Sequence, residues 1–444
     1  MPRHPLVSAL FCVGMVAFTP TAPRAETVEA TSTTLALTRQ EWRDGVLYRT
    51  VPAYELLSIS ARDIQSSVAQ NLSVVISTWG AVDLGDIRWD VQNPSQRRLT
   101  GDLNLAFIEG ELWARQIRVR LGRQMVMDGV ARAVQLDGAD VTLRLDMGLG
   151  LSAYAGSPVS QRFDGRGGLR SSNPIQGDLT AGGRVFWIQP GLLEVGLSGA
   201  WARDRFQRSD GTYTHAIARQ DLGADARVLA SPTVTLVGYG LLDLFERRIG
   251  DGDLSAIWQP NRKLKLTADY RHVDPSLLLA RDSILAVFAS DARNELGVMG
   301  YLGYLAGVSF DGDYHVILLD GGGGTGHRVL LKGTAHPLGP FNTVGGELSL
   351  WHQPDNGYFQ ARVFGGRDLG PVAVTLDLQN YVFENAVNGK QDSFLATATG
   401  GYVLGGGWKA AVSASAGVTP YLRGELDLMA KLVYNQTYTV REVR

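Results

Sequence analysis

From about Tyr54 to Tyr434 the chain alternates apolar and polar residues in short runs, each closed by Gly, Asp, Asn or Pro. Between Lys263 and Arg271, Leu264, Leu266, Ala268 and Tyr270 interleave with Lys263, Lys265, Thr267, Asp269 and Arg271. Successive side chains of a strand point to opposite faces, so each run predicts a strand with one apolar and one charged face. The runs fall at 54–64, 70–79, 100–109, 112–122, 133–146, 147–156, 178–189, 191–205, 214–229, 232–246 and 252–259. They continue at 262–273, 294–307, 311–320, 326–337, 341–353, 357–369, 371–385, 391–403, 407–418 and 421–434. Pro354-Asp355-Asn356-Gly357, Asn388-Gly389 and Asp210-Gly211 are tight-hairpin signals between them.

A soluble sandwich would carry the same alternation, and the start of the chain separates the two readings. Arg3 and His4 precede an apolar stretch from Leu6 to Phe18, and small and turn-forming residues run on to Ala25. This is the layout of a secretory signal peptide, residues 1–25. The only cysteine, Cys12, lies inside it, so the mature chain can form no disulfide. Beyond it no stretch reaches the roughly 18 consecutive apolar residues of a membrane helix. An exported chain with many Gly and aromatic residues and few charges fits an outer-membrane barrel, in which backbone polar groups pair strand to strand and aromatics sit at the headgroups.

The fold expected is therefore an all-β, transmembrane, antiparallel up-and-down β-barrel spanning residues 54–440. Bacterial single-chain barrels have an even strand number, so some short runs are expected to be bent halves or loop hairpins, leaving about 18 strands, with 16 to 20 allowed. Residues 26–53, polar and Thr-rich, are expected to form an irregular periplasmic leader. Glu26-Thr27-Val28-Glu29-Ala30 faintly resembles the box by which energised receptors engage their motor, but such receptors need about 22 strands and a plug domain besides. Two segments are too long for turns: 157–177, which carries Arg162, Arg166 and Arg170, and the apolar 273–293. Either is a candidate for an inward-folded constriction.

Candidate chemistry is sparse. Asp320-Gly321-Gly322-Gly323-Gly324-Thr325-Gly326-His327 meets a phosphate-loop pattern only in part, and a strand rather than a helix follows it, so it reads as a loop tip. Asp251-Gly252-Asp253 and Asp311-Gly312-Asp313 lack the further carboxylates of a calcium loop and read as turns. No metal-ligand or nucleophile motif occurs, so neither a cofactor nor an enzyme is expected. The nearest to a barrel hydrolase are Ser349 with His352 and Ser309 with His315. Without Arg3 and Arg24, 40 basic residues face 44 acidic ones, and so balanced a charge excludes an electrostatic nucleic-acid binder.

The polar strand faces carry the function. Arg118 and Arg120 share one face, Arg144 occupies an equivalent one, and Lys263, Lys265, Asp269 and Arg271 form a third. A charge facing mid-bilayer lipid costs about 2–4 kcal/mol, so these faces must look inward. Only six of the basic residues are lysines, so an Arg-rich lumen that selects polar or charged solutes is predicted. The opposing reading is that these charges and the long loops fill the lumen, leaving a non-conducting structural or adhesive barrel. Expected partners are outer-membrane lipids and the barrel-insertion machinery, for which Tyr434 or Tyr438 would supply the usual terminal aromatic.

Val119-Arg120-Leu121-Gly122-Arg123-Gln124, followed by Gln135-Leu136-Asp137-Gly138-Ala139-Asp140-Val141, resembles a phrase of alginate-export-type and related porin-like barrels. Pro275-Ser276-Leu277-Leu278-Leu279 with Ser283-Ile284-Leu285-Ala286-Val287-Phe288 is similar to segments of uncharacterised myxobacterial barrels. The resemblance implies an 18-stranded barrel that conducts small polar solutes or an exported polysaccharide, with secretion-complex partners in the latter case. It assigns Arg120, Arg123 and Asp137 to framework or lumen positions.

Overall fold

The computed structural model describes residues 27–439, apart from 44–45, 65, 67–68, 84–98, 130, 160, 165–167, 172–177, 208–211, 279–291, 306 and 337–341. The alternating runs form one antiparallel sheet that closes on itself. The strands are β1 (Thr27–Arg43), β2 (Val46–Thr50 continuing as Pro52–Ile64), β3 (Gln70–Asp83), β4 (Leu99–Leu112), β5 (Ile117–Asp128), β6 (Ala131–Arg144) and β7 (Leu149–Pro158). There follow β8 (Leu179–Gln189), β9 (Leu193–Gln207), β10 (Tyr213–Ser231), β11 (Val234–Asp243), β12 (Arg248–Asn261), β13 (Leu264–Val273), β14 (Arg293–Leu305) and β15 (Val308–Leu319). The circle is completed by β16 (Gly324–Ala335), β17 (Asn342–His352), β18 (Tyr358–Leu369), β19 (Val372–Val387), β20 (Lys390–Gly405), β21 (Trp408–Val418) and β22 (Glu425–Thr439). Neighbours in sequence are neighbours in space, and β1 closes the circle by pairing with β22 from Thr27↔Thr439 to Glu41↔Glu425.

The barrel thus has 22 strands rather than about 18. Every one of the predicted runs is a wall strand, and none is a bent half. The further strand is β1, which takes up most of the segment expected to be a periplasmic leader. Both D-G-D phrases also differ from expectation, since Asp251–Asp253 lies within β12 and Asp311–Asp313 within β15. Their carboxylates share one face, and the glycine between them takes the other.

The two faces separate as the alternation requires. One exposes large apolar side chains on strand after strand, among them Leu121, Leu151, Leu197, Leu254, Leu296, Phe310, Leu331 and Val363. Directly cross-strand residues share a face, so the registers carry the opposite parity around the barrel, where Arg, Asp, Glu, Ser and Thr gather. The apolar face is the outer, lipid-facing one.

Connections sort by length as well. Both described termini lie at the end with the short turns, such as 232–233, 262–263, 370–371 and 406–407. The long segments 84–98, 159–178 and 274–292 all leave from the other end. Short periplasmic turns and longer external loops are the pattern of this class of barrel. Gln161–Asp164 and Gly168–Ser171 form a separate small hairpin that lies against β4.

Candidate functional site

One hairpin of the wall does not stay in the wall. The ladder between β4 and β5 stops at Ala106↔Arg123, and that between β6 and β7 stops at Leu136↔Pro158, yet β5 and β6 remain paired beyond both points. The free part, from about Gln124 to Leu136, bends into the lumen and back toward the periplasmic end. Asp128, near its tip, accepts a hydrogen bond from Ser152 of β7. Gly129 at the tip sits so close to β8 and β9 that a Cβ there would lie 2.7 Å from Ser198 and 3.1 Å from the Arg184 side chain. From the departure at Leu136 and Pro158 down to Ser152 is six residues along β7, or about 20 Å at roughly 3.3 Å per residue.

The bend has a local cause. Gly122 has φ +122°, and Gly138 packs so tightly that a Cβ would fall 2.1 Å from the Ala155 carbonyl oxygen. Neither position admits a side chain, and between them the hairpin can fold over. Arg123 then clamps the fold: its Nε donates to Asp137 Oδ1 at 2.7 Å, its Nη2 to Asp137 Oδ2 at 2.9 Å and its Nη1 to Asp102 Oδ1 at 3.2 Å. Nη1 also donates to the Leu103 carbonyl at 2.9 Å, and Gln135 donates to the Asn104 carbonyl. Strand β4 lost its ladder partner when the hairpin left, and these side chains replace the missing donors.

Apolar packing holds the hairpin inside. Val126 and Leu136 meet Tyr154 of β7 in the hydrophobic cluster of the described residues, with Val134 against them. Leu136 and Gln124 are wholly inaccessible to solvent. Burial of each large apolar side chain contributes about 1.5–3 kcal/mol toward keeping the hairpin docked.

Around it the lumen wall is lined by charges, mostly paired with neighbours rather than aimed across the bore. Arg120 Nε donates to Glu109 at 2.8 Å, and its guanidinium lies 4.8 Å from the Phe107 ring centroid. Arg362 binds Asp377 through Nε at 2.9 Å and approaches Glu347 at 3.7 Å. Two of the lumen contacts skip a strand by passing over a glycine. Arg184 of β8 crosses Gly196 of β9 to reach Asp225 of β10, with Nε–Oδ1 at 3.2 Å. His315 of β15 crosses Gly297 of β14 so that Nε2 meets Asp269 of β13 at 2.9 Å, while Nδ1 meets Asp313 at 2.8 Å. A side chain on either glycine would collide with the crossing group, so both allow a polar side chain to lie flat on the wall.

The positions singled out in the sequence separate clearly. Arg118, Arg120 and Arg144 all face the lumen beneath the hairpin. Lys265, Asp269 and Arg271 take alternate lumen-facing positions of β13, as the register Asp269↔Gly297↔His315 requires. Lys263 does not join them, because it lies in the turn before β13. Arg162 and Arg170 are register partners in the small hairpin, and Arg166 lies outside the described residues. Of the apolar segment 273–293, Pro275–Leu278 forms one helical turn, with Leu277 over Gly250 and Leu241 at the rim. Residues 279–291 lie outside the described set. Among the described residues the element that folds into the lumen is the hairpin that carries Arg123 and Asp137, and much of both expected loops lies outside those residues.

Neither Ser–His pair is assembled. Ser349 looks into the lumen and binds Gln360 at 3.0 Å, whereas His352 is on the outer face against Glu384 at 2.8 Å. Ser309 is bonded to the Thr334 carbonyl, and both ring nitrogens of His315 are committed to carboxylates. Among the described residues no cluster could hold a metal ion.

No family model and no curated protein matches the chain. Solved structures do match it as folds. A ferric enterobactin receptor mutant of Pseudomonas aeruginosa, PfeA, is 11% identical with a TM-score of 0.56, covering 93% of this chain and 81% of that one. OccK9 (OpdG) of Pseudomonas aeruginosa is 10% identical with a TM-score of 0.49, covering 93% and 98%. The P pilus usher translocation pore PapC is 10% identical with a TM-score of 0.43, covering 93% and 100%. At these identities the likeness shows the fold alone: the chain is a closed transmembrane β-barrel of the outer-membrane type.

Proposed function

We propose that this protein is an outer-membrane channel for small polar or charged solutes, with its selectivity set where the β5–β6 hairpin meets β7, β8 and β9. The observation that carries this reading is the hairpin itself. Barrels of 22 strands enclose a lumen wide enough to need a plug. Here a single hairpin of the wall, about a dozen residues, occupies part of it and faces charged side chains across what is left. A wide barrel, a narrow folded-in element and wall charges are the parts of a filter.

The flat-lying pairs support conduction over a filled lumen. Because Arg184, His315 and Arg362 find their partners along the wall, neutralising them needs no loop in the bore. The hairpin also favours small solutes over an extended polysaccharide, which would have to displace it from Tyr154 and Ser152. The receptor reading lacks support, because Thr27–Ala30 of the segment that resembles a motor-binding box belong to β1 and the described residues contain no separate plug domain.

The test is solute flux. Liposomes carrying the purified barrel should swell in small charged or zwitterionic solutes and swell much less in a large oligosaccharide of equal osmolarity. Swelling no faster than in protein-free liposomes would contradict the proposal.

A further inference from the structure

Between the docked hairpin and the wall lies a cavity of about 460 Å³ near the periplasmic end of the lumen. Its lining combines two chemistries. Val126 of the hairpin and Phe186 and Ile188 of β8 form an apolar side, and four arginines and three carboxylates form the rest. Two of those arginines are saturated: Arg120 by Glu109, and Arg184 by Asp225 and Glu194.

The other two are not. Arg118 donates to the Thr142 hydroxyl at 3.1 Å, comes no closer than 3.9 Å to Asp140, and leaves its Nε without an acceptor. Arg144 is exposed to the lumen and makes no ion pair or side-chain hydrogen bond among the described residues. Arg118 pairs with Thr142 across the ladder, so Arg144, two residues on, is its diagonal neighbour on the same face. Such neighbours stand about 7–8 Å apart, within reach of one ligand for side chains as long as arginine.

Resting on the channel reading, we propose that this cavity is a binding site for a small organic carboxylate with an apolar body. Arg144 and Arg118 face the carboxylate, and Phe186, Ile188 and Val126 hold the apolar part. The guanidinium fork matches a carboxylate in two parallel, charge-assisted hydrogen bonds. Of the lining carboxylates, Glu194 binds Arg184, Asp128 accepts from Ser152, and Asp140 comes no closer than 3.9 Å to Arg118. Arg144 therefore has no carboxylate partner among the described residues and Arg118 no close one, and both lie beside an apolar surface, which suits a carboxylate with an apolar body better than a neutral sugar.

Benzoate and its neutral isostere benzamide are the probes, titrated by calorimetry against the detergent-purified full-length barrel. Benzoate should bind in the millimolar range or tighter, benzamide at least tenfold more weakly. Arg144→Gln, at an exposed position that leaves the fold intact, should weaken benzoate at least fivefold, and Arg118→Gln/Arg144→Gln should abolish binding. Equal binding of the two probes, no binding of benzoate, or unchanged affinity in Arg144→Gln would overturn the site. Current steps in potassium chloride are recorded from the same preparation. A barrel that conducts but ignores benzoate overturns the site alone, and one that binds benzoate but carries no current overturns the channel reading alone.

Discussion

Ser152 of β7 donates a hydrogen bond to Asp128 of β5, although the β6–β7 ladder sets Ser152 opposite Thr142, at the other end of β6 from Ala131, the partner of Asp128. A contact between two such distant positions, on strands that β6 separates in the wall, is possible only if the hairpin turns back on itself inside the barrel. Cysteines at both positions should therefore crosslink under mild oxidation in intact cells. An extended β5–β6 hairpin would keep them about 30 Å apart and give no crosslink.

The Arg123 clamp is the second place to test the bend. Arg123→Leu removes four donors and leaves Asp102, Asp137 and the Leu103 carbonyl without them. Breaking a largely buried pair of this kind costs about 3–5 kcal/mol. The expected outcome is selective protease cleavage near 129–133 in a barrel that otherwise stays folded on unheated gels. Resistance equal to wild type would show that the clamp does not hold the hairpin.

Crossing side chains make a sharper claim about glycine. At Gly297 a Cβ would lie 2.1 Å from the His315 ring, so Gly297→Ala must push the imidazole off the wall and part it from Asp269. Overpacking of this order costs about 1–3 kcal/mol. Gly240→Ala, where nothing lies within 4 Å, is the control and should leave the melting temperature unchanged. Equal melting temperatures for the two variants would contradict the crossing geometry.

Sidedness is tested by a charge. Val298→Arg, on the outer face, should lower stability by about 2–4 kcal/mol in refolding into lipid, whereas Thr399→Arg, on the lumen face, should change it little. The reverse order would invert the assignment of faces.

Most of the wall was legible in the sequence because apolar–polar contrast is strong from β3 onward. It failed where the contrast is weak. In β1, Thr27, Glu29, Thr31 and Thr33 point one way and Val28, Ala30, Ser32 and Thr34 the other, so both faces read as polar. The outer face even holds Glu55 of β2, which accepts from Ser32 at 2.5 Å and Thr34 at 2.6 Å. The candidate site was half legible. Arg118, Arg120 and Arg144 stood out as a charged face, but alternation does not show that Gly122 and Gly138 are hinges rather than ordinary strand glycines. That depends on Arg123 meeting both Asp102 and Asp137, a relation of cross-strand register that one chain's pattern does not contain.

The central claim is that the hairpin narrows a conducting lumen. The most direct test replaces Gln124–Gln135 by a two-residue turn and compares single-channel currents with wild type in planar bilayers of potassium chloride. The account predicts discrete steps from both proteins and a step several-fold larger from the shortened one. Steps of equal size, or no current from either protein although both are folded, would contradict it.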